Sequence, residues 1–179
     1  MKTKSLVGII LAGIIVILSC ERVPDDQEPN KMNLTKKSLE LIESDNEFGL
    51  DFFRKIMIND TSDNIMVSPL SVALALGMTY NGAADSTKEA MKETLKLSGL
   101  TDEEINAAYE SIVGQLLKLD PKVILSIANS IWYRHDFTVL PAFIDLNKQY
   151  YDAEVNELDF DLPGAKDIIN AWVDEKQMV

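Results

Sequence analysis

From Asn64 to Thr87 the apolar positions run together instead of alternating with polar ones. Ile65, Met66 and Val67 predict a short apolar strand running into a helix. Ser68 is placed to cap that helix, since a serine hydroxyl can accept an orphan N–H of the first turn. Pro69 follows at the first helical position, where a missing N–H costs nothing and the fixed φ is suitable. From Leu70 to Met78 the helix is apolar on every face, interrupted only by Ser71 and Gly77. A helix without a polar stripe is expected to be enclosed by protein on all sides. Asn81-Gly82 ends it.

The rest of the chain reads as helices with one apolar stripe, followed by strands. Ser44-Asp45-Asn46-Glu47 fits a capping box, opening a helix striped by Phe48, Phe52, Phe53, Ile56 and Met57. A turn cluster at 59–63 precedes the central stretch. A helix from about Ser86 to Leu97 carries Ala90, Met91 and Leu95 on one side, and Ser98-Gly99 stops it. Thr101 caps the next, with acids in its first turn and a stripe of Ile105, Ala108, Ile112, Leu116 and Leu119. Pro121 ends it. Lys122 to Arg134 reads as a strand apolar on both faces, the pattern of a central strand covered on both sides. Pro141–Tyr151 is helical, with Phe143, Ile144, Leu146 and Tyr150 inward. Ala153 to Phe160 is a second strand, Leu162-Pro163-Gly164 a turn, and a last helix from Ala165 carries Ile168, Ile169, Trp172 and Val173. No internal repeat or low-complexity segment is present.

The N-terminus does not belong to this pattern. Lys2 and Lys4 precede 13 residues without a polar side chain, Leu6 to Leu18, which is short for a membrane span and fits a signal segment. It ends Ile17-Leu18-Ser19-Cys20, similar to the lipobox of bacterial lipoproteins. That similarity implies a signal peptide over 1–19, lipid on Cys20, and a protein exported and anchored to the outer membrane or surface of a bacterium. Residues 20–43 are expected to form a polar tether, since Glu21–Lys37 lacks an apolar period. Asp25, Asp26 and Glu28 within it are too few oxygen ligands for a calcium loop. Cys20 is the only cysteine among 179 residues, so no intramolecular disulfide can form. Seventeen basic against 29 acidic residues leave a net charge of −12, which argues against nucleic acid as a partner.

Val67-Ser68-Pro69-Leu70-Ser71, Tyr80-x-Gly82-Ala83 and Thr87 resemble the N-terminal signature of the serpins, a large family mostly of protease inhibitors. Asn46-x-Phe48-Gly49-x-x-Phe52-Phe53-Arg54 resembles the family's first helix. Ile127-Ala128-Asn129-Ser130-Ile131-Trp132 resembles the strand with an Ala-Asn pair before an aromatic residue. Asp159-Phe160 and Ile169-Asn170-x-Trp172-Val173 continue the pattern in order. It departs at Gln177, where the family usually has Thr leading to Asn-Gly-Lys.

The resemblance implies an incomplete α+β serpin-like fold over 44–179: about six helices and the first strands of the central sheet. It implies that the target is a serine or cysteine endopeptidase. That enzyme cleaves an exposed reactive loop, becomes attached through an acyl bond, and is trapped when the loop inserts into the central sheet. The reactive bond is not in this chain, so no inhibition is expected from it alone. Ser68, Pro69 and Ser71 correspond to the shutter, the region under the sheet where strands part. In some serpins the helix matching the one after Thr101 binds heparin-like polyanions. Here it carries Asp102, Glu103, Glu104, Glu110 and Asp120 against Lys118, so no such binding is expected.

Other chemistry has little to build on. Ser68 or Ser71 as the nucleophile of a hydrolase would need a base within reach, and nothing in the sequence brings the single histidine, His135, to them. His135 beside Asp136 reads as a turn residue without metal-ligand spacing. Asn129, Trp132 and Trp172 read as packing residues, Asn129 requiring a hydrogen bond if buried. No cofactor motif is present. Two readings remain beside the inhibitor: a serpin-like binding or structural lipoprotein, and a serine hydrolase.

Overall fold

The structure, a computed structural model, describes residues 28–60, 62 and 64–177. Cys20, the signal segment and the first part of the tether lie outside the described residues. Six helices and two strands follow in the order α1 (Lys36–Asn59), α2 (Pro69–Tyr80), α3 (Asp85–Thr94), α4 (Asp102–Leu116), β1 (Asn129–Arg134), α5 (Pro141–Tyr151), β2 (Ala153–Leu158) and α6 (Ala165–Gln177). β1 and β2 pair in parallel, from Asn129 opposite Ala153 to Arg134 opposite Leu158. Parallel neighbours need a crossover, and α5 supplies it. Among the described residues no helix is long and apolar enough to cross a membrane.

The core lies where α1, α2, α4 and α5 meet. Leu41 and Phe48 of α1, Ala73, Leu74 and Met78 of α2, Ile105, Tyr109 and Ile112 of α4 and Tyr151 of α5 form one buried cluster. Local chemistry sets the helix starts as the sequence predicts for α2 and α4. Ser68 Oγ accepts the Ser71 N–H at 3.4 Å. Thr101 and Glu104 cap each other, with N–H to side-chain oxygen distances of 2.9 and 3.2 Å. Pro141 opens α5 as expected.

Several expectations are corrected. α1 starts at Lys36, not after Ser44; Thr35 is the cap, its Oγ1 accepting the Ser38 N–H at 3.0 Å. Residues 36–43 are therefore helix rather than tether, with Leu41 fully buried. Their first turns are mostly Lys, Ser and Glu, which reads as solvated linker until Leu41 meets the other helices. Ser44 sits inside the helix, its Oγ 3.1 Å from the Glu40 carbonyl and 2.7 Å from that of Lys96. Met57, expected on the buried stripe, is exposed. α3 ends at Thr94 instead of Leu97, because Lys96 turns left-handed at φ 60° and brings Leu95 and Leu97 both into the core. Ala90, expected on its inner side, is exposed. In α5 the most buried positions are Asn147 and Tyr151.

The β expectations fail in a consistent way. Residues 65–67 form no strand, and Met66 is 97 % exposed. The long strand over 122–134 is reduced to 129–134, and the second stops at Leu158 rather than Phe160. The ladder begins at Asn129 because β2 begins at Ala153, so 123–128 have no strand partner among the described residues. Val123, Ile124 and Leu125 are consequently exposed, Ile124 by 90 %. α2 is not enclosed either. Ala73, Leu74, Gly77, Met78 and Tyr80 face the core, while Ser71, Ala75 and Thr79 form an open stripe along the other side.

Candidate functional site

The residues singled out by motif fall into two places. The first is the start and open side of α2. Ser68 and Ser71 are both exposed, with their hydroxyl oxygens 2.7 Å apart. Further along the same side Thr79 Oγ1 donates to the Ala75 carbonyl at 2.9 Å. Small side chains therefore line a shallow seat along the helix, with Pro69 setting its entry. The hydrogen-bond partners of the Ser68 and Ser71 side chains among the described residues lie within this first turn. His135 lies at the end of β1, its N–H donating to the Leu158 carbonyl at 3.2 Å and its Nδ1 3.7 Å from Asp159 Oδ1. The described residues thus give neither serine the base that a nucleophile requires.

The second place is the two-stranded sheet. Asn129 Nδ2 donates to the Tyr151 carbonyl at 2.7 Å, fastening the start of β1 to the end of α5. Trp132 and Trp172 meet edge to face with centroids 6.4 Å apart. Trp132 Nε1 donates to Ser130 Oγ at 2.9 Å, and Trp172 Nε1 to Glu154 Oε2 at 2.8 Å. Both indoles are half-buried rather than core, because the sheet face they share is two strands wide. A groove of about 540 Å³ opens beside Trp172, bounded also by Asn129, Lys148, Glu154 and Lys176. Lys176 is held by Glu154 at 2.6 Å. The Lys176 contact, ahead of the Trp172 N–H, keeps the Glu154 carboxyl below its ordinary value. Among the described residues no group of three His, Cys, Asp or Glu side chains converges as metal ligands would.

Beneath α2 lie polar groups that sequence reasoning missed. Asn81 and Asn106 exchange two amide hydrogen bonds of 3.0 Å, and Asn81 Nδ2 also reaches Asn147 Oδ1 at 3.3 Å. Asn147 Nδ2 donates back to the Phe143 carbonyl at 3.0 Å. Asn106 and Asn147 are buried, so this amide set ties the end of α2 to α4 and α5. Asn106 was detectable in principle, since it lies on the same face of its helix as Ile105 and Tyr109. Nearby, Tyr80 donates to Asp102 Oδ1 at 2.8 Å while Lys88 lies 4.7 Å over the Tyr80 ring. Burial pushes the Asp102 carboxyl up, but Lys88 and Tyr80 outweigh it and hold it below its usual value.

Tyr109 donates to Asp45 Oδ1 at 2.8 Å, and its ring tilts against Tyr151 at 5.6 Å. Burial raises the Asp45 carboxyl to about 6, the Tyr109 hydroxyl opposing it only in part. Gly77 lets these rings reach α2, since a Cβ there would stand 2.8 Å from the Tyr151 hydroxyl. That hydroxyl is buried without a hydrogen-bond partner among the described residues. Removing an unpaired buried hydroxyl relieves desolvation. Tyr151→Phe is therefore expected to leave stability unchanged or raise it by about 1 kcal/mol, read from the urea midpoint.

The comparisons with known proteins agree with this architecture. The family model for "Serpin (serine protease inhibitor)" matches residues 43–178. A serine protease inhibitor of Rattus norvegicus is 29 % identical over 173 residues, covering 93 % of this chain and 42 % of that protein. A leukocyte elastase inhibitor of Xenopus laevis is 31 % identical over 132 residues, covering 72 % and 34 %. Among solved structures, reactive-loop-cleaved human thyroxine binding globulin superposes with a TM-score of 0.70 at 26 % identity, covering 77 % of this chain and 42 % of that one. The chain thus spans well under half the length of these relatives. The six helices and two-stranded sheet of the described residues make an incomplete serpin fold, the N-terminal portion of the domain. By the family match over most of its length, and by the order of elements that carries it, this chain belongs to the serpins, a family of serine protease inhibitors.

Proposed function

We propose that these residues are the floor and first strands of a serpin that inhibits serine or cysteine endopeptidases, and that they do not inhibit by themselves. The observation that carries this reading is the open stripe of Ser71, Ala75 and Thr79 on α2, together with the unpaired apolar stretch 123–128. Both are surfaces suited to a β-layer, and the described residues do not cover them. In the complete inhibitor a target protease attacks a reactive loop that this chain does not contain. Its nucleophile forms an acyl bond to the loop, the leaving amine departs, and the freed loop inserts as a strand over α2. Ser68, Pro69 and Ser71 hold the start of the helix over which the strands separate. The similarity to a leukocyte elastase inhibitor supports a serine endopeptidase as the target.

The N-terminal residues support export. Lys2, Lys4, the apolar run and Cys20 fit a signal peptide and a lipid anchor at the outer membrane or surface of a bacterium. Heparin-like polyanions are not partners in this reading. α4 presents Asp102, Glu103, Glu104 and Glu110, and neighbouring Lys37 and Lys88 are engaged by Glu104 and Asp102. Nucleic acid is disfavoured by the net charge of −12.

The test joins residues 1–179 to the C-terminal portion of a serpin, reactive loop included, and mixes the product with serine and cysteine proteases. An SDS-resistant adduct with the joined protein, and none with 1–179 alone, is the expected result. A joined protein that folds and is cleaved without an adduct sinks the inhibitor reading in favour of a binding lipoprotein. Hydrolysis of ester substrates that disappears in Ser68→Ala would establish the hydrolase instead.

A further inference from the structure

Asn81 is the one asparagine in the sequence that is followed by glycine. Such a pair cyclises where the chain is free, because glycine has no side chain to hinder its own nitrogen. The Gly82 nitrogen attacks Asn81 Cγ and gives up its proton; the side-chain amide takes that proton and leaves as ammonia. Water then opens the five-membered imide at either carbonyl, leaving aspartate or isoaspartate. In the fold the first step is opposed. Asn81 continues α2 in helical torsions, φ −61° and ψ −24°, which turn the Gly82 nitrogen away from the ring-closing position eclipsed with Cβ. The Gly82 N–H donates to the Thr79 carbonyl at 3.0 Å. The amide is held at both ends, its Nδ2 donating to Asn106 and Asn147 and its Oδ1 accepting from Asn106. Glycine is nonetheless required at 82, since a Cβ there would stand 2.8 Å from Cε2 of Phe143 in α5. Packing against α5 therefore brings the reactive pair with it.

We propose that Asn81-Gly82 is a covalent latch. It is silent while the end of α2 is docked on α4 and α5, and it is converted by water when that end opens locally. The product cannot redock in the same way. Asn106 and Asn147 are buried and turn carbonyl oxygens towards the Asn81 amide nitrogen, and a carboxylate has no proton for either. Their acceptors are left without that partner. The new negative charge also stands at the C-terminal end of α2, where the helix dipole opposes it. A reversible opening thus becomes a permanent one.

The experiment incubates the full chain at neutral pH and follows Asn81 by peptide mapping and mass spectrometry, reading amide-to-acid conversion and the isoaspartate product. Conversion should be slower by about tenfold or more in the folded chain than in guanidinium chloride, since only the open fraction reacts. Asn106→Ala, and the milder Asn147→Ala, which removes only the 3.3 Å bond to Asn81, should each speed it by about threefold or more. Phe48→Leu, which loosens the core from α1 without touching the amides, should leave the rate near that of the parent. Asn81→Asp should unfold at lower urea than the parent. The proposal is overturned by equal conversion in folded and denatured chains, by asparagine variants no faster than the parent, or by equal acceleration in Phe48→Leu, which would make global unfolding the route. An unchanged urea midpoint for Asn81→Asp would likewise remove the latch.

Discussion

Asp45→Asn is expected to stabilise the protein at neutral pH by on the order of 2–3 kcal/mol, the free-energy equivalent of roughly two pKa units. The carboxyl moves from 3.8 in the unfolded chain to about 6 in the fold, chiefly because burial disfavours its charge. A group raised in this way favours folding fully below its unfolded value. That contribution is lost as pH rises through the folded value, so between about 4 and 6 the half-buried carboxyl turns from neutral to penalised. The amide never ionises and keeps the acceptor for Tyr109. The carboxyls of Asp51, Asp102 and Glu104 are lowered, so each favours folding above its unfolded value and loses that contribution as acid protonates it. Parent and variant share these groups. The difference between their urea unfolding free energies, measured across pH, therefore isolates Asp45. It should be large at neutrality and close to nothing below about pH 4. A difference that stays constant with pH would show that Asp45 keeps its ordinary value.

Leu74→Ala should cost about 2–5 kcal/mol, whereas Ala75→Ser one residue later should change stability by less than about 0.5 kcal/mol. Leu74 is 1 % exposed and belongs to the cluster with Leu41, Ile105 and Tyr109. Truncating it removes buried methyl groups and leaves a cavity that the helix backbone cannot close. Ala75 points to the open side, where a hydroxyl meets water. Urea midpoints of the two variants measure the contrast. Equal costs would mean that α2 is enclosed on both sides in solution, and that the seat under the proposed β-layer does not exist in this chain.

Much of the helical frame was legible because its signals are local. Ser68-Pro69 and Asn81-Gly82 bracket α2, Thr101 with Glu104 opens α4, and Pro141 opens α5, each through bonds or torsions spanning a few residues. The start of α1 was not legible. Its first turns are charged, and Leu41 becomes a core residue only when α4 and α2 arrive. Asp45 read as part of a capping box, Ser44-Asp45-Asn46-Glu47, at the start of a helix. Its raised carboxyl is created by partial burial among apolar walls, and its hydrogen-bond donor among the described residues, Tyr109, is 64 positions away. Asn106 and Asn147 belong to the same kind of miss, since a buried amide is identified by its partners rather than by its neighbours in sequence.

Family, helix order and most of the places where helices begin were determined by the amino-acid sequence itself, because caps, turns and apolar periods act over one or two turns of chain. The tertiary structure alone decided how much of Lys122–Arg134 becomes strand and which side of α2 stays open. A ladder bond needs a second strand opposite it, and β2 offers one only from Ala153 onward. An apolar face, likewise, is buried only where another element reaches it, and along Ser71, Ala75 and Thr79 none of the described residues does.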